Sequence, residues 1–285
     1  MGQKVHLVLG SGGARGIAHI GAIETLEEEG FEIASVVGCS MGAVVGGIYA
    51  AGFQKEYKKW LLELTKLKLF TIMDFTLTKH GFLKGEKVFS IIEEFAGKHN
   101  IEDFDIPFKA VATDLVRNRE VHFDKGDLYK SLRASTGIPG VFTPVFENKQ
   151  FLIDGGVLNP LPVNLVHKKE GELMVAVDLN SASTKSPPLK SLEPDEATEV
   201  GLLEWLKNFV KKKDTKKSTE LDMSSITLEQ IMLSSYDMTQ DRLTSMMLQM
   251  YPPDILVEIP RNTCDIFDFH RSSALVAFGK EQCKS

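Results

Sequence analysis

The hydrophobic positions of this chain fall into two patterns, short unbroken runs and longer stretches at helical spacing. Residues 5–9 form a short β-rich run that breaks at Gly10-Ser11-Gly12-Gly13-Ala14-Arg15-Gly16. Ile17, Ile20, Ile23 and Leu26 then recur at helical intervals until Gly30. Residues 34–38 read as a second buried strand. The small residues after Ser40 (Gly42, Ala43, Gly46, Gly47, Ala50, Ala51), mixed with Val44, Val45 and Ile48, predict a tightly packed helix. Further on the pattern predicts helices over 58–70 and 84–98, strands over 108–113, 119–123 and 151–153, and an apolar strand over 173–179 of the kind covered on both faces. A helix over 226–250, a strand over 255–259 and a helix over 272–283 complete the chain. Such alternation predicts an α/β fold, a mostly parallel central sheet with helices on both sides.

Composition changes this picture in one place. From 181 to 225 Ser, Thr, Pro, Lys and Glu dominate, with Lys211-Lys212-Lys213 and Lys216-Lys217 near the middle. This stretch reads as a mobile charged insertion carrying one helix, within a single domain spanning residues 1–285. Over the whole chain 43% hydrophobic and 25% charged residues are ordinary for a globular protein. A net charge of −6 with scattered Lys and Arg argues against a nucleic-acid partner. Cys39, Cys264 and Cys283 have neither disulfide nor zinc spacing and read as reduced thiols. The N-terminus lacks a signal-peptide core, His6 stands where a myristoylation signal needs Ser or Thr, and no apolar run approaches the roughly 18 residues of a membrane span. The expectation is a soluble cytoplasmic chain, at most peripheral on a membrane.

Gly38-Cys39-Ser40-Met41-Gly42 matches G-x-S-x-G, a turn in which the serine hydroxyl protrudes between a strand and a helix while flanking glycines let the backbone close up. The strand before it and the small-residue helix after it supply the required context. The loop Gly10–Gly16 has two readings. One is a dinucleotide phosphate loop with Glu32 as the ribose acid, which would make the chain a Rossmann-type oxidoreductase. The other is an oxyanion hole of backbone N–H groups. Asp154-Gly155-Gly156 puts a carboxylate at the end of a strand, where α/β sheets build their sites.

The loop ending in Arg15-Gly16, the Gly38–Gly42 motif and Asp154-Gly155-Gly156-Val157-Leu158-Asn159-Pro160-Leu161-Pro162, in that order, resemble the patatin-like phospholipase family, above all its short single-domain bacterial members. Arg133-Ala134-Ser135-Thr136-Gly137-Ile138-Pro139 resembles a pocket-shaping segment of that family. One departure is Ser11, where the family often has the first glycine of its loop. The resemblance implies a three-layer α/β/α fold and a Ser–Asp dyad without histidine. Ser40 would be the nucleophile and Asp154 its base, with the N–H groups of Gly12, Gly13 and Ala14 as oxyanion hole. Gly10, Arg15, Gly16, Gly38, Gly42, Gly155 and Gly156 would support these motifs, Arg15 structurally. It further implies a fatty-acyl ester substrate, such as a phospholipid or lysophospholipid, hydrolysed through an acyl-enzyme. No metal or cofactor is called for. A catalytically silent lipid-binding module is the remaining alternative. Within the insertion, Leu202, Trp205, Leu206 and Phe209 would share one helical face ahead of the lysines, either docking at a bilayer or packing on the domain.

Overall fold

A strand covered on both faces needs apolar residues pointing both ways, and β1 (Lys4–Leu9), whose one inner polar residue, His6, is hydrogen-bonded to Ser35 and Glu172, shows why. It turns Val5, Leu7 and Leu9 to one face of the sheet and Val8 to the other, and all four are fully buried. β9 (Leu173–Ser181) does the same with Val175, Val177 and Leu179 against Met174 and Ala176. The computed structural model describes residues 2–78, 81–182 and 228–284.

The other strands are β2 (Glu32–Cys39), β3 (Phe75–Thr78), β4 (Gly81–Leu83), β5 (Phe108–Asp114), β6 (Arg119–Phe123), β7 (Val145–Glu147), β8 (Gln150–Asp154) and β10 (Ile255–Pro260). The main sheet runs β10-β9-β1-β2-β5-β8-β7, with β6 on the second edge of β5; β3 and β4 form a separate hairpin. From β10 to β5 every pairing is parallel, while β6, β7 and β8 join antiparallel. The sheet is mixed and mostly parallel, as expected.

The helices are α1 (Ala18–Glu28), α2 (Met41–Ala50), α3 (Gln54–Leu62), α4 (Lys66–Ile72), α5 (Glu86–Ala96), α6 (Leu128–Ser135), α7 (Leu228–Met250) and α8 (Ser272–Lys284). Residues of α1, α2, α3, α5, α6 and α8 cover one face of the sheet in the main core. The opposite face carries Leu161 and Val163, with Met247 and Leu248 of α7 packed against them. This is the three-layer α/β/α arrangement. In the thicker layer α1 and α8 touch backbone to backbone: a Cβ on Gly21 would lie 2.1 Å from the Val276 carbonyl oxygen, and one on Gly279 2.0 Å from that of Ala18.

The helix expected over 58–70 is two helices, because Thr65 starts a new one by accepting the Lys68 N–H at 3.2 Å on its hydroxyl. Ser181, assigned by composition to the insertion, is the last residue of β9 and donates to Glu258 at 2.7 Å. The rest of that insertion from 183 onward, with its amphipathic stretch and Trp205, lies outside the described residues. The hairpin β3–β4, strand β7 and helix α6 were not expected from the pattern; each is short, and the apolar positions within them are too few to establish a period.

Candidate active site

Ser40 sits at the sharp bend between β2 and α2 with φ 54° and ψ −124°, a conformation costly for any residue with a side chain. The bend closes only because its neighbours are glycines. A Cβ on Gly38 would lie 2.4 Å from the Gly42 carbonyl oxygen, and one on Gly42 2.1 Å from that of Leu9. Backbone atoms cannot step aside, so Gly42→Ala is expected to cost about 3 kcal/mol or more. Urea unfolding would measure this, and a loss below 1 kcal/mol would show that the turn is not this tight.

Asp154 reaches Ser40 through β5. β6 occupies one edge of β5 from Ala110 to Asp114, so β2 and β8 share the other edge. β2 ends there with Cys39 beside Val111, and β8 arrives from the opposite direction with Asp154 beside Ala112. Two residues 114 positions apart thus meet end to end, and the Ser40 hydroxyl donates to Asp154 Oδ2 at 2.7 Å. The other carboxylate oxygen accepts the Gly156 N–H at 2.7 Å, and the Tyr236 phenol of α7 also hydrogen-bonds the carboxylate.

The segment 133–139 clamps both residues. Ser135 Oγ accepts the Ser40 N–H at 2.9 Å and donates to the Val111 carbonyl at 2.6 Å, while the Asp154 N–H donates to the Gly137 carbonyl at 3.0 Å. Gly155 and Gly156 keep the approach clear, since a Cβ on Gly155 would lie 2.2 Å from the Val111 carbonyl oxygen and one on Gly156 2.9 Å from the Tyr236 hydroxyl.

Ser40 and Asp154 are both almost entirely withdrawn from solvent. Burial pushes the Asp154 carboxyl up to about 6, against the opposing pull of hydrogen bonds from Ser40, Gly156 and Tyr236. A carboxylate so poised is a stronger base than an exposed one and is still ionised at neutral pH. The neighbouring Cys39 thiol is pushed well above its ordinary range by the same burial and by Asp154, so it stays protonated.

The glycine-rich loop packs directly on the bend: a Cβ on Gly16 would lie 2.4 Å from Met41 Cβ. Gly10 donates to Val177, Ser11 to Pro160 and Ala14 to Ile266 through their backbone N–H groups. The Ala14 N–H, expected in an oxyanion hole, is therefore already committed. Among the described residues the N–H groups of Gly12 and Gly13 have no hydrogen-bond partner. Arg15 is buried and spends its guanidinium on the carbonyls of Leu179 and Cys264 and on Asn180 Oδ1, a structural role. Ser11, the departure from glycine, accepts from Gln240 Nε2 at 3.2 Å, which ties the loop to α7.

The dinucleotide reading fails on geometry. Glu32 begins β2, level with Lys4 at the start of β1, whereas the loop follows Leu9 at the other end. Five strand residues, about 17 Å, separate the two. His19 is fully buried, bonded to the Gly10 carbonyl, and burial lowers it to about 4, so it is neutral packing. Among the described residues no group of three His, Cys, Asp or Glu side chains could hold a metal. Sequence reasoning missed Tyr236 and Gln240. They lie in a helix whose register on the sheet no local motif announces.

A serine on a strained strand-to-helix bend, bonded to a buried carboxylate beside a loop whose Gly12 and Gly13 N–H groups are unpartnered among the described residues, is an arrangement that α/β serine hydrolases use. The sequence profile of the family described as patatin-like phospholipase matches residues 7–167, and the chain belongs to that family of lipid-ester hydrolases. An uncharacterised NTE family protein of Mycobacterium tuberculosis is 32% identical over 97% of this chain and 89% of its own length. Lysophospholipase NTE1 of Cryptococcus neoformans is 35% identical over 65% of this chain but only 12% of its own length, and that of Saccharomyces cerevisiae 32% identical over 65% and 11%. The solved structure of VipD from Legionella pneumophila aligns with 99% of this chain and 66% of its own, at 14% identity and a TM-score of 0.46.

Proposed function

We propose that the chain hydrolyses fatty-acyl esters of phospholipids or lysophospholipids through a Ser40–Asp154 dyad and an acyl-enzyme. The hydrogen bond of 2.7 Å from Ser40 Oγ to Asp154 Oδ2 carries this reading. As Ser40 Oγ attacks the ester carbonyl, its proton passes to Asp154. The carbonyl oxygen becomes an oxyanion, held by the Gly12 and Gly13 N–H groups with the positive end of α2 behind Ser40. Collapse breaks the bond to the leaving alcohol, which takes the proton from Asp154. Water then gives its proton to Asp154 and attacks the acyl carbon; the proton returns to Ser40 Oγ as the fatty acid leaves. Lysophospholipid is favoured as a substrate because that activity is in the names of the fungal relatives.

A panel of lysophospholipids, diacyl phospholipids and soluble acyl esters tests the reading, together with mass mapping of a fluorophosphonate adduct. Adduct formation at Ser40 and release of fatty acid from at least one lipid are expected. Adduct without hydrolysis of any lipid ester would leave an esterase of other substrates, and no adduct would leave a silent lipid-binding module.

Asp154 must be ionised to accept the proton, so kcat should fall about tenfold per pH unit below roughly 6. Tyr236 donates to the charged form of Asp154, and Tyr236→Phe removes that support. The acid limb of the kcat profile is expected to move to higher pH in the variant, with KM for a soluble ester little changed. An unmoved limb would mean that the phenol does not tune the base.

A further inference from the structure

Phe146 and Val116, 74% and 73% exposed, are the most exposed large hydrophobic side chains among the described residues, and Leu115 beside Val116 is 54% exposed. All three lie at neighbouring turns. Leu115 and Val116 begin the turn from β5 to β6, and Phe146 stands just before the turn from β7 to β8. Phe146 pairs with Phe151 across β7 and β8, and the Leu115 N–H donates to the Phe151 carbonyl at 2.9 Å, so Leu115 and Phe146 flank Phe151 in one row, and Val116 follows Leu115 in the turn.

The turns are built tightly. Asn118, Asn148 and Lys149 all have positive φ, and Arg117 joins the two turns by donating to Asp114 Oδ2 at 2.7 Å and to the Lys149 carbonyl at 3.1 Å. Exposed apolar side chains held on an ordered frame ask for an occupant. Around them stand the exposed cations Arg117, Arg119 and Lys149; of the nearby carboxylates Asp114 is buried and paired with Arg117 and Glu120 is bonded to His122 and Asn159, which leaves Glu147 against the exposed cations at the tips.

We propose that the paired tips of the β5–β6 and β7–β8 turns dock on an anionic lipid bilayer, with Val116, Leu115 and Phe146 entering the interface and the basic residues facing lipid headgroups. The size of the patch favours this occupant. Three side chains on two turns fall far short of the roughly 800 Å² per partner of a stable protein interface. A bilayer interface needs only a few apolar side chains with a cationic rim. Position favours it too. β5 passes Ser40 at Val111 and continues four residues, about 13 Å, to Leu115 at the same end of the sheet. β8 returns from the tip to Asp154 in five residues. Docking therefore brings the site to the lipid surface; the inference rests on the lipid-ester reading for its purpose, though not for its measurement.

The test is the double variant Val116→Ser, Phe146→Ser in the full chain, neither residue touching the dyad. Co-sedimentation is measured with equimolar phosphatidylglycerol–phosphatidylcholine vesicles and with phosphatidylcholine vesicles, alongside turnover of p-nitrophenyl butyrate. Wild type is expected to bind the anionic vesicles more strongly. The variant should lose about tenfold or more in partition, the scale of removing a Val and a Phe from an apolar phase, while its turnover of the soluble ester is unchanged. Equal binding by variant and wild type, or no binding by wild type, overturns the proposal. So does a concentration-dependent dimer that the variant loses, which would assign the patch to a second copy of the chain. Loss of soluble-ester turnover by wild type would count against the dyad reading alone, since vesicle binding is read without hydrolysis.

Discussion

Ser40→Ala is expected to lower turnover of a p-nitrophenyl acyl ester by about 10⁴-fold or more, the scale seen when a hydrolase loses its nucleophile. The expectation follows from the position of the hydroxyl, on the bend between β2 and α2 and bonded to Asp154 Oδ2 at 2.7 Å. The fold should survive, because the groups that close the bend are the Ser40 N–H on Ser135 and the glycines at 38 and 42, none of which the substitution touches. Ser40→Gly should be as inactive and more stable than Ser40→Ala by about 1–3 kcal/mol, since glycine adopts φ 54°, ψ −124° without a Cβ penalty. Steady-state assays and urea unfolding of both variants decide it. Wild-type turnover by either would remove Ser40 from the mechanism, and equal stability would mean that the bend is unstrained.

Asp154→Asn is expected to lose activity by about 10⁴-fold while gaining stability at neutral pH. Burial raises this carboxyl from an ordinary 3.8 to about 6, so the folded protein pays for holding it ionised. For a raised carboxyl the penalty is absent below 3.8, grows between 3.8 and 6, and is complete above 6. At about 1.36 kcal/mol per pH unit it amounts to roughly 3 kcal/mol. Asparagine removes the charge and keeps an oxygen for the Gly156 N–H. Its amide faces Ser40 in a reversed hydrogen bond, so the gain is at most that figure. The melting temperature of the variant should exceed that of wild type at pH 8, and the gap should close towards pH 4. A variant less stable at pH 8 would mean that the hydrogen bonds to the carboxylate outweigh its desolvation. If replacing any of the histidines by Gln cost as much activity, a triad would replace the dyad.

The elements that carry the site were legible because each has a local physical cause. Residues 5–9 and 173–179 are apolar at all but His6 and Asp178 because β1 and β9 are covered on both faces. Gly38 and Gly42 flank Ser40 because no side chain fits against the backbones of Gly42 and Leu9. Gly155 and Gly156 follow Asp154 for a similar reason, lying close to Val111 and to the Tyr236 and Gln240 side chains. Sterics of this kind act over a few residues, so they leave a mark in the order of amino acids. From these marks the strand-turn-helix at Ser40, the loop at Gly10–Gly16, the carboxylate at the end of β8 and the α/β class all followed from the sequence by itself.

Tertiary structure alone decided how these pieces act on one another. β5 aligns the ends of β2 and β8 on a single edge, and pairing between strands far apart in the chain depends on the whole sheet's register, to which no local run of residues is sensitive. The same holds for Tyr236 and Gln240, which reach Asp154 and Ser11 from α7 on the opposite layer. The Ala14 N–H is taken by Ile266, a contact made across the fold that narrows the free donors of the loop to Gly12 and Gly13 among the described residues. The Asp154 carboxyl is pushed up to about 6 because the layers around it exclude water, and desolvation belongs to a packed volume, not to a motif.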